Sequence, residues 1–292
     1  MRARRDPWGN GSAIFSKIRF EDLTPVAPAI AEPSTGESMG QSAEKMAKEN
    51  GISREEQDRI ALLSHQRASA ATQDGRLGRE IAPWFGGRAM DQIVTTDNLI
   101  RADTSLEALA KLKPVFDKRY GSVTAGNSSP LTDGAAVTLL MEESKARSLG
   151  YQPLAAVRSY AVAAVDPGWQ LLMGPVWAVP KALDRAGISW KRSGPGRNPR
   201  GIRGAGTVQC AGLGIAGLGG AARSQGSGGT GRLGSDQCDG GSIAIGHPFG
   251  ATGARLATSL ANEMRRRDVE FGLISICAQG GMGFAMVLQN VR

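Results

Sequence analysis

Two side chains able to move protons stand close together near the carboxy terminus of a chain that has few of either kind. Among 292 residues there are only two histidines and three cysteines. His247 lies in Gly240-Gly241-Ser242-Ile243-Ala244-Ile245-Gly246-His247-Pro248-Phe249-Gly250-Ala251-Thr252-Gly253-Ala254-Arg255. Cys277 opens Cys277-Ala278-Gln279-Gly280-Gly281-Met282-Gly283. Nucleophilic chemistry needs a thiol with a base in reach, and glycine lets backbone turn tightly or approach a ligand. Each residue also has a structural reading. A histidine in such a turn can simply shape it, and a cysteine at a strand end is commonly just buried. Spacing alone leaves both readings open.

The elements that must position the pair can be read from pattern. The short apolar run 243–245 reads as a strand, which puts His247 in a strand-to-helix loop. There the amino end of the following helix favours anions and thiolates. Leu256, Leu260 and Met264, spaced by four, predict that helix. Residues 271–276 read as an apolar strand ended by Cys277, the glycines beyond it leaving the sulfur uncovered, and 284–288 as the returning strand.

Upstream, residues 22–36 are proline-rich and extended. A short helix starts near Met39 and ends at Gly51. Ser53-Arg54-Glu55-Glu56 is a capping box for a helix reaching about Thr72, with Ile60, Leu63 and Ala71 on its apolar side. His65 falls in mid-helix among polar neighbours, as a structural or solvated histidine. Residues 83–96 are only loosely patterned. Thr104 and Glu107 form a second box, with Leu106 and Leu109 facing inward and Pro114 as the stop. A strand at 137–141, a helix ending at Gly150, a strand over 154–162 and a helix over 176–186 follow. Strands alternating with helices imply an α/β layered fold.

Composition narrows the function. At 30.6 kDa the chain can bury one or two domains' worth of core. Three cysteines without paired spacing suggest a reducing compartment and neither a disulfide framework nor a metal site. No apolar run approaches the length of a membrane span, and the start lacks a signal peptide's apolar core. The net charge of +8 is unevenly spread. Residues 1–20 hold five basic and one acidic side chain, and 191–240 hold seven and two, so the remainder is close to neutral. That distribution argues against a nucleic-acid partner, as does the lack of any aromatic residue in 191–239. Residues 191–239 are about a third glycine without hydrophobic period, a composition that reads as disordered.

Taken together, Gly240-Gly241, Gly246-His247-Pro248, Gly250-x-Thr252-Gly253 and Cys277-x-x-Gly280-Gly281-x-Gly283 resemble the carboxy-terminal signature of the thiolases, acetyl-CoA acyltransferases. The stretch Val123-Thr124-Ala125-Gly126-Asn127-Ser128-Ser129-Pro130-Leu131-Thr132-Asp133-Gly134 is a second match, with Pro130 where the family has glycine. Residues 23–58 look most like the β-subunits of fatty-acid oxidation complexes, which cleave longer 3-ketoacyl-CoA. The resemblance implies a partial thiolase-like layered α/β fold with an α-rich loop domain. Its divisions are an irregular tail at 1–17, the loop-domain region with the end of the amino-terminal domain at 18–122, and the carboxy-terminal domain at 123–292, interrupted at 191–239.

By the same resemblance His247 is the base and Cys277 the acid/base thiol that moves the α-proton of acetyl-CoA. Met39 lines the acyl/pantetheine side, Ser129 touches pantetheine and Arg101 lies near the CoA nucleotide. The implied reaction is thiolytic cleavage of 3-ketoacyl-CoA, or the reverse condensation, with CoA and acyl-CoA as substrates and no tightly bound cofactor. Implied partners are a second copy of the chain or a hydratase/dehydrogenase subunit. The implied location is the cytoplasm of a bacterium, or the mitochondrial matrix in a eukaryote. Two family features have no counterpart here: the acyl-accepting cysteine of the upstream half and an Asn-Glu-Ala-Phe tetrapeptide. The chain alone is therefore expected to be impaired, and a non-catalytic, thiolase-like partner subunit is the alternative. The abrupt loss of family pattern at 191–239 suggests out-of-frame translation of a GC-rich gene, with 1–16 as a further candidate.

Overall fold

Two capped helices open the part of the chain described by a computed structural model, which covers residues 31–188, the backbone of 208–210, and 239–291. These residues belong to one unit of the fold, Ala31–Arg292. Helix α1, Met39–Glu49, starts at Ser38, whose hydroxyl accepts from the Gln41 amide while the Gln41 side chain accepts from the Ser38 amide. Helix α2, Arg54–Gln73, starts with the same reciprocal arrangement between Ser53 and Glu56. Each box satisfies amide donors that a helix start leaves bare. The buried side of α2 is narrower and more polar than its sequence suggests: Ala61, Ala68 and Ala71 are buried with Gln57, Asp58, Ser64 and His65, whereas Ile60 and Leu63 are half-buried.

The loosely patterned stretch after α2 forms an antiparallel hairpin, β1 (Trp84–Gly86) with β2 (Gln92–Val94). Helix α3, Leu106–Ala110, is capped by Ser105, whose hydroxyl accepts from the Ala108 amide. This corrects the expected Thr104–Glu107 box by one residue, and the shift turns Leu106 to solvent while Leu109 stays buried. Residues 137–141 are apolar, but no strand forms there. A strand requires a hydrogen-bonded neighbour, and among the described residues this segment has none. Val137 and Leu140 stand 91% and 74% exposed. Helix α4, Glu143–Ser148, follows.

The main sheet has the order β3-β6-β5-β4. Strand β3 (Ala156–Ala164) runs antiparallel to β6 (Met282–Gln289), and β6 antiparallel to β5 (Phe271–Ala278). Strand β4 (Val208–Cys210) runs parallel to β5, which overturns the expectation of no order at those three residues. Backbone pairing needs no particular side chains, so composition does not reveal it. The remaining residues of 191–238 lie outside the described residues, as does the tail 1–17.

Helices cover both faces of the sheet. Between β3 and the next long helix come a short turn, α5 (Pro167–Gln170), and a 3-10 turn, Leu171–Met173. Helix α6, Gly174–Ala186, lays Ala178, Ala182, Leu183 and Ala186 on Ala161, Ala163, Leu273, Ala285 and Val287. Ahead of β5 a one-turn helix, α7 (Ser242–Ile245), precedes α8 (Thr252–Arg267). The latter places Leu256, Leu260 and Met264 against Ile274 and Leu288 on the opposite face. A helix layer, a sheet and a second helix layer make this an α/β layered fold.

Candidate functional site

His247 lies on the turn between α7 and α8. The run 243–245, expected as a strand, is the helical turn α7. Its three residues are all buried, Ile243 among Ala61 and Leu109, and Ala244 and Ile245 among Ala68, Ala71 and Leu77. A strand would alternate its sides, whereas one helical turn presents consecutive apolar residues to packed neighbours on several sides. Gly246 then reverses the chain at φ 100°. A Cβ there would fall 2.7 Å from Thr132 Cγ2, so the position suits only glycine. The next amide, of His247, donates to Thr132 Oγ1 at 2.9 Å.

The imidazole is buried, with the Phe249 ring edge-on at 5.2 Å between centroids. Its Nδ1 lies 2.7 Å from Thr252 Oγ1. Thr252 is the first residue of α8, and its hydroxyl also donates to the Pro248 carbonyl at 3.0 Å. A hydroxyl has one proton. With that proton on Pro248, Thr252 Oγ1 can only accept from Nδ1–H, and the imidazole keeps its lone pair on Nε2. Burial, and secondarily the nearby Arg255 charge, hold the His247 pKa below the ordinary imidazole value. The ring is therefore a neutral base with a fixed tautomer.

Cys277 is the penultimate residue of β5 and pairs with Gly283 of β6. Its sulfur was expected to be uncovered, but the residue is buried in a cluster with Met39, Ala43, Met46, Val123 and Leu171–Met173. The glycines beyond it shape the turn, while α1 supplies the cover. The loop is tied to the segment leading into α1: the Gly280 amide donates to the Glu32 carboxylate at 2.8 Å, and Gln279 Nε2 to the Ala31 carbonyl at 2.7 Å. Met39 and Cys277 are thus brought together.

Two further close approaches fix the surroundings of the histidine turn. A Cβ on Gly253, the second residue of α8, would lie 3.7 Å from Cδ1 of Ile276, the neighbour of Cys277. A Cβ on Gly134 would fall 2.7 Å from Pro248 Cγ. The segment carrying Ser129, which is half-buried, therefore runs on to touch the histidine turn through Thr132 and Gly134. Asn127 organises its start: buried, it accepts from the Thr124 amide and donates to Asp58 and the Ser122 carbonyl. Arg101 is exposed, and its amide donates to His65 Nδ1 at 3.2 Å. That bond gives His65 the structural role expected for it.

Thr132, Thr252 and Glu32 were not singled out by sequence. Thr252 had a readable signal, a hydroxyl at the amino end of a predicted helix and five residues after the histidine. Thr132 and Glu32 act across 115 and 248 residues of chain, for which no local pattern exists. Among the described residues, no group of three or more His, Cys, Asp or Glu is gathered to hold a metal, and no helix is long and apolar enough to cross a membrane.

Comparison with known proteins adds an independent line. Residues 10–144 match the family model for the thiolase amino-terminal domain, and 235–290 that for the thiolase carboxy-terminal domain. The chain is 45% identical over 286 residues to the 3-ketoacyl-CoA thiolase of Escherichia coli O157:H7, covering 94% of this chain and 63% of that protein. It is 45% identical over 303 residues to the 3-ketoacyl-CoA thiolase of Cronobacter sakazakii, covering 96% and 64%. Among solved structures, a Bacillus anthracis acetyl-CoA acetyltransferase superposes with a TM-score of 0.79 at 35% identity, over 90% of this chain and 62% of the other. Human mitochondrial 3-ketoacyl-CoA thiolase in complex with CoA gives 0.75 at 32%, over 90% and 61%. The chain thus spans a little under two thirds of the length of these relatives. Both terminal signatures, nearly the whole of its length and its fold agree: this chain belongs to the thiolase family.

Proposed function

We propose that this chain carries the proton-transfer part of a thiolase site, which acts on 3-ketoacyl-CoA and CoA to give acetyl-CoA and a shortened acyl-CoA, or runs the reverse condensation. The observation that carries this reading is the Thr252-fixed, neutral His247 on the turn leading into α8, whose first turn meets β5 at Ile276, the residue before Cys277. In this reading Cys277 takes a proton from C2 of acetyl-CoA as a thiolate and returns it as a thiol. His247 Nε2 accepts the thiol proton of an incoming nucleophile. Met39, in the same buried cluster as Cys277, lines the acyl side, while Ser129 contacts pantetheine and Arg101, exposed to solvent, meets the CoA nucleotide. The bacterial source of its relatives supports action in the cytoplasm.

These 292 residues contain no counterpart of the acyl-accepting cysteine and no Asn-Glu-Ala-Phe. Without the nucleophile the covalent route is closed, so thiolysis by this chain alone is expected at background. Deuterium entry into the methyl group of acetyl-CoA needs only the proton-moving groups and is the better test. Wash-in by the purified chain, abolished in Cys277→Ala, supports the reading. An equal rate in both proteins, or thiolysis that survives in Cys277→Ala, overturns it. A second reading, a non-catalytic subunit that docks on a second copy or on a hydratase/dehydrogenase, is favoured by the exposed apolar segment around Val137 and Leu140. No wash-in, together with copurification of such a subunit, would select it.

A further inference from the structure

The first turn of α8 reaches the histidine turn twice. Thr252 meets the ring, and one turn later Arg255 reaches the carbonyl just before it: Nη2 donates to Gly246 O at 3.4 Å. Arg255 is half-buried, and its Nε is fully enclosed with no hydrogen-bond partner among the described residues. Enclosing a guanidinium nitrogen without a partner is unfavourable, and an apolar side chain of similar volume would avoid the penalty. Glu80, which accepts from Ser259 and Asn262 further along α8, and Asp97 are the acidic groups whose charges act on Arg255. Among the described residues, neutral groups contact His247: the hydroxyls of Thr132 and Thr252, and the Phe249 ring. Among the described residues, the guanidinium is the charge that acts on the ring.

We propose that Arg255 is the positioning residue of the His247 turn, clamping the Gly246 carbonyl to the first turn of α8 so that the imidazole stays in register with Thr252. The proposal rests on the role given to His247 above, but its test does not use turnover. The chain has two histidines, so a 13C-histidine sample of the full chain gives two Cε1 signals, assigned with His65→Asn. In Arg255→Gln, which removes the charge and is too short to reach the Gly246 carbonyl, the His247 titration midpoint is expected to move up toward the ordinary imidazole value while that of His65 stays put. An unchanged His247 midpoint in the folded variant overturns the proposal. Should that variant not fold, Arg255→Lys retains the charge and loses the planar fork. There the His247 amide, bonded to Thr132, is expected to exchange with solvent about tenfold faster or more. Exchange at the wild-type rate overturns the clamp.

Discussion

Thr252 Oγ1 sits 2.7 Å from His247 Nδ1 with its only proton committed to the carbonyl of Pro248. The hydroxyl thereby selects the ring tautomer, and a base whose lone pair is on Nε2 follows from a bond made on the other side of the ring. Thr252→Val keeps the shape and removes both bonds. Loss of one such bond is worth about 1–1.5 kcal/mol, so the His247 Nδ1 proton is expected to exchange with solvent about tenfold faster in the Val variant, with Thr252→Ser restoring most of its protection. Equal rates for Val and Ser would show that the hydroxyl does not set the tautomer.

Both histidines lie below the ordinary imidazole pKa in the folded chain, each mainly through burial, with Arg101 acting second on His65 and Arg255 second on His247. The unfolded chain takes up protons near pH 6.5, where the folded chain still refuses them. Stability is therefore full above that value and declines as pH falls through it toward the folded-state values. Each histidine adds a slope of at most about 1.4 kcal/mol per pH unit. Asp117, brought down to about 2 chiefly by its bond to Lys48, titrates well below this window. Urea midpoints measured from pH 7.5 to 5.5 should fall for the wild type and flatten in a His65→Asn/His247→Asn double variant. Parallel slopes in the two proteins would refute the assignment.

Opposite Cys277, Gly283 brings β6 against the start of α6 with almost no space between backbones. A Cβ there would lie 2.0 Å from the carbonyl carbon of Gly174 and 2.2 Å from the nitrogen of Pro175. Backbone cannot swing aside as a side chain can, so Gly283→Ala is expected to cost about 3 kcal/mol or more. Gly250→Ala is the control, because nothing lies within 4 Å of its added carbon. Chemical denaturation of the two variants decides the matter: similar midpoints would mean the contact relaxes freely.

What could be read from sequence was what is local. Ser53 with Glu56, and Leu256, Leu260 and Met264 at one helical spacing, each encode their element within a few residues, and the structure reproduces them. The run 243–245 carried no such information, since a short apolar run fits a buried strand or a buried helical turn equally well. Residues 137–141 show the converse, a strand-like pattern that forms no strand, with no pairing neighbour among the described residues. His247 and Cys277 stood out because their residue types are rare in the chain. Arg255, Thr132 and Glu32 did not, because arginine, threonine and glutamate are common and their partners lie far away along the chain or across the fold.

The ribbon around Val137 and Leu140 has a consequence for how the protein behaves as a colloid. Exposed apolar side chains at Val137, Leu139 and Leu140 offer other molecules a surface on which to associate. The chain's +8 charge opposes such encounters. That repulsion reaches only about 10 Å at 0.1 M salt and shrinks further as salt is added. Dilute, low-salt solutions should keep the molecules apart, and raising the ionic strength should bring on self-association rather than relieve it, the reverse of what a basic protein held to an anionic contaminant would do.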